Sequence, residues 1–210
     1  MITRVDSSAS SVELLTAAII AEDFVMAAAL IAEGVSVHGR DNTGHTPIFV
    51  AARDGKAKML ALLASHGVSI DAPIASVGRR PLYWAAEGGH LDAVRALLDL
   101  GAMIDSTDDY GQTPLWICAA QLANEVLNVP DKALWRTSQS HTPQGHTAVV
   151  EALILAGADV NIAPDTSTAG FESSSAADHI RDSGIYRLVD LLEGREISKP
   201  KRSFWSALFG

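Results

Sequence analysis

The hydrophobic positions between Gly78 and Asp105 follow the spacing of two short helices. The first apolar run opens at Pro81, the second ends at Gly101, and a Gly89-His90 step separates them. Each helix is only about two or three turns long, so it cannot bury its apolar side alone. The pattern therefore predicts a helix-turn-helix unit that needs neighbouring units. Its apolar positions are Leu82, Ala85, Ala86, Val94, Leu97 and Leu98.

The same pattern recurs at a fixed interval in both directions. Pro47 stands 34 residues before Pro81, and Pro114 stands 33 residues after it. The second half of the unit that begins near Pro114 resumes only at Gly145, after 23 additional residues at 122–144. A constant period with two helices per unit predicts a solenoid of stacked repeats.

Five segments carry a resemblance to a known family. They are Gly44-x-Thr46-Pro47, Pro81-Leu82-x-x-Ala85-Ala86, Gly89-His90, Gly145-His146 and Gly157-Ala158-Asp159-Val160-Asn161. These motifs resemble those of the ankyrin repeat family over residues 12–194. The resemblance implies an all-α solenoid of about five helix-turn-helix repeats. The 23 additional residues at 122–144 add a helical insert to the fourth. The resemblance also implies protein binding through the hairpin tips and the adjoining surface of the first helices.

The predicted organisation treats the two terminal repeats as caps, because both lack the Thr-Pro opening. We expect Glu13, Glu22 and Asp23 to face water in the first cap, with Asp23 capping the second helix. Residues 1–11 read as a flexible N-terminus and 195–210 as a basic, amphipathic C-terminal tail. The repeats are predicted at 12–40, 41–73, 74–107, 108–162 and 163–194.

The start of each first helix depends on one capping position. Thr46 is predicted to cap the first helix of the second repeat, with Pro47 as its first helical residue. Arg80 replaces this Thr in the third repeat. We therefore expect Arg80→Thr to stabilise the protein by about 0.5–2 kcal/mol.

Charge is distributed unevenly along the 210 residues. The net charge is −9, and the tail from Arg195 has four basic residues and one acidic residue, a net +3. Residues 1–194 therefore carry −12. An acidic body disfavours nucleic acid and anionic lipid and favours a protein partner with a basic surface.

Cysteine content and apolar run lengths predict the compartment. The single Cys118 excludes an intramolecular disulfide and favours a reducing environment. No signal peptide is apparent, and no charge-free apolar run approaches the length of a membrane span. We expect a monomeric cytoplasmic protein, and the Ala-rich helices suggest a bacterial accessory protein.

The resemblance implies a set of partner-binding residues on the tips and first helices. The alternative is that they are ordinary solvated residues. Position by position they are Asn42, Thr43, His45, Arg53 and Asp54; then Ser76, Val77, Arg79 and Glu87; then Asp109, Tyr110, Gln112 and Gln121.

Aromatic residues occupy the slot that the family fills with His. They are Phe49, Tyr83 and Trp116, one in each of three repeats. They either form an exposed ridge for a partner, as Tyr and Trp do at interfaces, or stack one repeat on the next. We favour stacking, and the loss of His leaves open what replaces the hydrogen bonds it makes between repeats.

The insert and the tail are specific to this chain. Leu122–Leu127 would prolong the first helix of the fourth repeat, while Leu134 and Trp135 either bind a partner or pack on the protein itself. The tail has a basic start and four apolar residues at helical spacing, which fits an anionic membrane interface, a protein or no partner. Its residues of interest are Lys201, Arg202, Phe204, Trp205, Leu208 and Phe209.

No pattern of catalytic residues is present. The seven His residues are scattered, and His90 and His146 hold structural positions at the second-helix starts. No zinc-ligand spacing or phosphate-binding Gly loop occurs, and Cys118 takes a small core slot. We predict a non-enzyme without cofactor or metal: an adaptor, inhibitor or immunity-type binder. The alternative is a scaffold tethered by its tail to the inner face of the membrane.

Overall fold

The computed structural model describes residues 11–73, 77–127, 144–164, 174–184 and 186–194. Its regular secondary structure in these ranges is helical, and the helices alternate as the first and second members of successive pairs. The helices are α1 (Ser11–Ile20), α2 (Phe24–Ala32), α3 (Pro47–Arg53), α4 (Ala57–Ser65), α5 (Pro81–Glu87), α6 (Leu91–Asp99), α7 (Pro114–Leu127), α8 (Gln144–Leu155), α9 (Ala176–Ser183) and α10 (Tyr186–Leu192).

The helices stack in two parallel rows. In one row α1, α3, α5, α7 and α9 contact one another in that order, and in the other α2, α4, α6, α8 and α10 do the same. The two members of each pair also pack together. This arrangement confirms the predicted all-α solenoid, in which each unit is stabilised by its neighbours.

The core follows the apolar pattern read from the sequence. Leu60, Leu63, Leu82 and Leu97 are fully buried and belong to one continuous cluster that runs through the stack. Burial of each such side chain contributes roughly 1.5–3 kcal/mol. Small residues fill equivalent core positions of three first helices: Ala51, Ala52, Ala85, Ala86, Cys118 and Ala119 are all fully buried.

Helix α7 is longer than the first helices of the preceding repeats. It has 14 residues, whereas α3 and α5 have 7 each. Its extension begins at Leu122, which is fully buried, and continues to Leu127, as the sequence predicts. Residues 128–143 of the insert, including Leu134 and Trp135, lie outside the described residues.

Helix caps agree with the sequence at some starts and not at others. Asp23 accepts a hydrogen bond from the Met26 backbone N–H at 2.9 Å, which confirms the predicted cap of α2. The predicted Thr46 cap of α3 is wrong. The Thr46 hydroxyl is buried and accepts no hydrogen bond from the helix N–H groups, and Thr46 lines a cavity together with Ile48 and Val68.

The equivalent residue of the fourth repeat does cap its helix. Thr113 accepts a hydrogen bond from the Trp116 backbone N–H at 3.0 Å. Arg80, at the same position of the third repeat, donates from Nη1 to the Asp71 carbonyl and so ties the start of α5 to the end of the preceding repeat. At the cap position, Thr113 therefore caps its helix and Arg80 links two repeats, whereas the Thr46 hydroxyl makes no hydrogen bond.

Candidate protein-binding surface

Three turns precede α3, α5 and α7 and are called here the tip turns: residues 41–45, 77–79 and 108–112. In the first, the Asp41 carboxylate accepts hydrogen bonds from the backbone N–H groups of Thr43 and His45, both at 2.9 Å. The Thr43 hydroxyl donates to the same oxygen at 2.6 Å. Burial opposes ionisation, but these bonds together hold the pKa of Asp41 below its ordinary value.

The third tip turn repeats this arrangement with an aspartate that is buried. Asp108 Oδ1 accepts from the backbone N–H groups of Tyr110 and Gln112, both at 2.9 Å. Its other oxygen, Oδ2, accepts from Arg79 Nε at 3.1 Å, and the Asp108 side chain is fully shielded from solvent. A buried carboxylate requires such partners because desolvation disfavours its charge.

Arg79 joins the second tip turn to the third. Besides Asp108, it donates to Gln112 Oε1 at 3.4 Å. Its guanidinium lies 4.5 Å from the centroid of the Tyr83 ring and 5.5 Å from that of Trp84. The planar guanidinium is suited to bind a carboxylate and stack on aromatic rings at once.

The backbones of these two turns also meet. The Asp109 N–H donates to the Val77 carbonyl at 3.1 Å. Gly78, between Val77 and Arg79, has a φ of +69°, and a Cβ at this position would lie 2.7 Å from Asp109 Oδ1. Glycine is therefore required here both for the backbone conformation and for the close approach.

Two of the three aromatic residues of the His slot, Tyr83 and Trp116, make hydrogen bonds between repeats. The Tyr83 hydroxyl donates to Gln112 Oε1 at 2.9 Å, and Trp116 Nε1 donates to the Ser174 carbonyl at 2.8 Å. Each bond reaches the next repeat along the chain. Phe49 has no donor, and it contacts the Trp84 ring edge-on at a centroid distance of 5.1 Å.

Three of the predicted binding residues are buried structural residues. Tyr83 is 1% exposed, Gln112 3% and Trp116 6%, and all three are hydrogen-bonded inside the stack. A partner could not contact them without displacing neighbouring repeats. The stacking role is therefore correct for Tyr83 and Trp116, and the exposed ridge is not formed. Burial also raises the pKa of the Tyr83 hydroxyl, which stays protonated and able to donate.

Trp84 is a contributor that the sequence analysis did not single out. It contacts Phe49 in the preceding repeat and Tyr83 in its own, with centroid distances of 5.1 and 6.0 Å. Arg79 lies over its ring. The available signal was a bulky aromatic three residues after Pro81, where the second repeat has Val50 and the fourth has Ile117.

The starts of the second helices make a further series of links between repeats. His90 Nε2 lies 2.8 Å from the Arg53 carbonyl oxygen, and His146 Nε2 lies 2.9 Å from that of Glu87. Lys56 holds the equivalent position in the second repeat and pairs with Glu22 at 3.3 Å. The structural role predicted for the two histidines is confirmed.

The other predicted binding residues differ in exposure. Exposed positions are Asn42, Thr43 and Asp109; partly buried ones are His45, Arg53, Asp54, Val77, Arg79, Glu87, Tyr110 and Gln121. Ser76, Leu134, Trp135 and the six tail residues from Lys201 to Phe209 lie outside the described residues. The binding role of these positions remains a prediction.

Two charged groups sit at equivalent ends of α3 and α5. Arg53 pairs with its neighbour Asp54, with Nε 2.7 Å from Oδ1, and this hydrogen bond raises the pKa of Arg53. One repeat further, burial raises the pKa of Glu87, although the positive charge of Arg79 opposes the shift. Glu87 is thus a half-buried carboxylate on the surface of the first helices.

Within the described ranges, no group of three or more His, Cys, Asp and Glu side chains could hold a metal ion. No helix in the same ranges is long and apolar enough to cross a membrane.

A stack of short helix pairs with linked tip turns defines a repeat-type binding scaffold. Residues 73–129 match the family model described as ankyrin repeats (3 copies). The chain thus contains ankyrin repeats. Ankyrin repeats are generally protein–protein interaction modules.

Several relatives share this repeat content. The chain is 31% identical over 131 residues to SH3 and multiple ankyrin repeat domains protein 2 of Homo sapiens, which covers 57% of this chain and 7% of the relative. It is 32% identical over 82 residues to an ankyrin repeat-containing protein of Schizosaccharomyces pombe, covering 39% of each. It is 26% identical over 152 residues to an ankyrin repeat and KH domain-containing protein of Caenorhabditis elegans, covering 67% of this chain and 6% of the relative.

These matches cover too little of each relative to transfer its function to this chain. The chain spans well under two thirds of the length of each of these relatives. Their similarity therefore establishes the repeats and not the activity of a whole protein. The three organisms are eukaryotes, so the predicted bacterial source has no support from them.

Proposed function

We propose that the chain is a non-catalytic binder, either an adaptor or an inhibitor of the immunity type, that recognises a protein partner with a basic surface. The contact surface comprises the exposed parts of the tip turns and the adjoining ends of the first helices. Its central residues are Asn42, Thr43, Arg53, Glu87, Asp109 and Tyr110.

The observation that carries the proposal is the cross-linking of neighbouring tip turns. Arg79 and Asp108 pair across the repeat boundary, and Asp109 meets Val77 through the backbone. Exposed side chains on these turns are consequently held at fixed spacing before a partner arrives. Preorganised groups lose less conformational entropy on binding, which favours affinity.

Charge supports a basic partner. Among the tip residues, Asp109 has an exposed side chain, while Asp108 is already neutralised by Arg79. Glu87 adds a half-buried carboxylate whose desolvation a cationic group of a partner would offset. The net −12 of residues 1–194 would also speed the approach of a basic protein.

The test is an affinity capture with variants that change charge and keep shape. The double variant Glu87→Gln/Asp109→Asn is compared with wild type and with Asp92→Asn/Asp99→Asn, a matched control that removes two negative charges from exposed positions of α6. We expect a partner that wild type and the control retain and the Glu87/Asp109 variant loses, with binding that weakens as salt rises. Equal capture by all three proteins would contradict the assigned surface.

The insert contributes to the same proposal. Because Leu122 is buried in the core and Gln144 begins α8, deleting all of 122–144 would damage the fold as well as any binding site. The sharper variant is Leu134→Ala with Trp135→Ala. Loss of the partner at an unchanged melting temperature favours binding by the insert, and a lowered melting temperature favours self-packing.

A peripheral membrane scaffold is the second candidate. It is favoured by the net +3 of the tail and by the helical spacing of Phe204, Trp205, Leu208 and Phe209. Co-sedimentation with vesicles rich in anionic lipid, comparing the full chain with Phe204→Ala/Trp205→Ala, tests it. Equal pelleting of the two proteins would remove this candidate.

A further inference from the structure

The first helix pair exposes an apolar surface that a terminal repeat ordinarily avoids. Helix α2 contains no charged residue, and on it Val25 is 79% exposed, Met26 51% and Phe24 47%. Ile20, at the end of α1, is 49% exposed. These four residues are called here the α2 patch.

Comparison with other second helices shows that this is unusual. Helix α6 has Asp92, Arg95 and Asp99 among its nine residues, whereas the nine of α2 are all apolar. Terminal repeats require a polar outer side to remain soluble, and a helix that is apolar all round is normally buried. Of the acidic residues predicted to face water in this repeat, Glu13 lies in α1 and is partly buried, while Glu22 and Asp23 are exposed at the turn between α1 and α2.

The rim of the α2 patch is acidic. Glu22 and Asp23 precede the helix and Glu33 follows it, and all three are exposed. Asp23 is engaged with its own helix and Glu22 with Lys56, and each retains solvent exposure. An apolar centre with an acidic rim is complementary to a basic amphipathic segment.

The chain contains such a segment. Residues 199–209 read KPKRSFWSALF, in which three basic residues precede four large apolar ones. In a helix Phe204, Trp205, Leu208 and Phe209 would share one face. We propose that this tail docks on the α2 patch of a second copy of the chain.

The length of the linker before the tail favours docking on the α2 patch of a second copy rather than on the patch of its own chain. Four steps of interhelical packing, each about 8–10 Å, separate α2 from α10, or roughly 32–40 Å. The ten residues from 195 to 204, which lead from the end of the described stack to the first apolar residue of the tail face, extend to about 33–36 Å at most. A tail would therefore reach the α2 patch of its own copy only with its linker almost fully extended, at a large cost in conformational entropy. Two copies related by a twofold axis can instead exchange tails reciprocally and form a closed dimer.

The experiment measures self-association of the full chain by sedimentation equilibrium over a wide concentration range. The patch variant is Val25→Lys/Met26→Lys, whose added charge repels a basic tail, and the tail variant is Phe204→Ala/Trp205→Ala. The matched control is Met103→Lys/Leu155→Lys, which alters two other exposed apolar residues, 48% and 54% exposed. Far-ultraviolet circular dichroism checks that each variant is folded.

We expect wild type and the control to dimerise and the patch and tail variants each to associate at least about tenfold more weakly. A labelled peptide of residues 195–210 should bind the folded tail variant and not a protein carrying both sets of substitutions. A monomeric wild type overturns the proposal, whether the tail proves to bind vesicles or its own chain. So does a dimer that either the patch variant or the tail variant leaves intact.

Discussion

The first and third tip turns use the same local chemistry with different consequences. In both, an aspartate accepts two backbone N–H hydrogen bonds from residues two and four positions ahead. The bonds of Asp41 stay within residues 41–45. Asp108 is buried and additionally holds Arg79 of the preceding repeat.

The second tip turn, residues 77–79, explains why Asp108 contacts a neighbouring repeat and Asp41 does not. The sequence position equivalent to Asp41 and Asp108 is Ala75 in the third repeat, so this turn has no aspartate of its own. Arg79 stands where the other turns have His45 and Gln112, and it bonds to the aspartate of the next repeat instead. A turn that lacks its own carboxylate thus becomes coupled to its neighbour, while a self-sufficient turn remains local.

The largest expected effect is a difference in stability between two variants, Asp108→Ala and Asp41→Ala. Asp108→Ala leaves two backbone N–H groups and the Arg79 guanidinium without their acceptor in a buried place, and we expect a loss of about 3 kcal/mol in the free energy of unfolding. Asp41→Ala, whose groups can turn to water, should cost about 1 kcal/mol. Urea unfolding measures both.

The two variants control for each other, because both remove the same turn motif. Equal losses would mean that the Arg79 contact contributes nothing beyond the turn itself. Arg79→Met, which keeps the length of the side chain and removes its charge, should reproduce most of the difference between them.

A smaller effect tests the second contact on Gln112. Tyr83→Phe removes only the hydroxyl that donates to Gln112 Oε1, and we expect it to destabilise the protein by about 1 kcal/mol in urea unfolding. The buried ring should remain in place. No change would show that Arg79 alone satisfies Gln112.

The pH dependence of Asp41 is a smaller effect still. Its pKa is below the ordinary 3.8 in the folded protein, so its ionised form contributes stability above pH 3.8 that is lost as pH falls through the folded pKa. Asp41→Asn lacks this contribution. The difference in unfolding free energy between wild type and Asp41→Asn should therefore be present at neutral pH and shrink below pH 3.8. A constant difference would contradict it.

The smallest effect concerns the cap position between the two turns. The sequence predicts a gain from Arg80→Thr, but Thr46 forms no cap in one neighbouring repeat, whereas Thr113 forms one in the other. The substitution would also remove the bond from Arg80 to the Asp71 carbonyl. The structure therefore predicts a change within about 0.5 kcal/mol by thermal and urea unfolding. A clear gain in stability would show that a Thr cap outweighs the Asp71 contact.

Much of the architecture was predictable because periodic signals act locally. The positions of Pro47, Pro81 and Pro114 located the starts of three helices, and the apolar spacing located the buried leucines. The extension of α7 was visible as a helical pattern beyond Gln121. The surface was less predictable, because Tyr83, Gln112 and Trp116 read as contact residues and proved to be buried.

The sequence by itself determined the helix pairs, their order and the core, since spacing and turn residues act over a few positions along one chain. Only the tertiary structure decided which side chains link one repeat to the next. Arg79 and Asp108 are 29 residues apart, and Trp116 and Ser174 are 58 apart. Such pairs are set by the stacking of whole repeats, which brings together side chains that no local pattern relates.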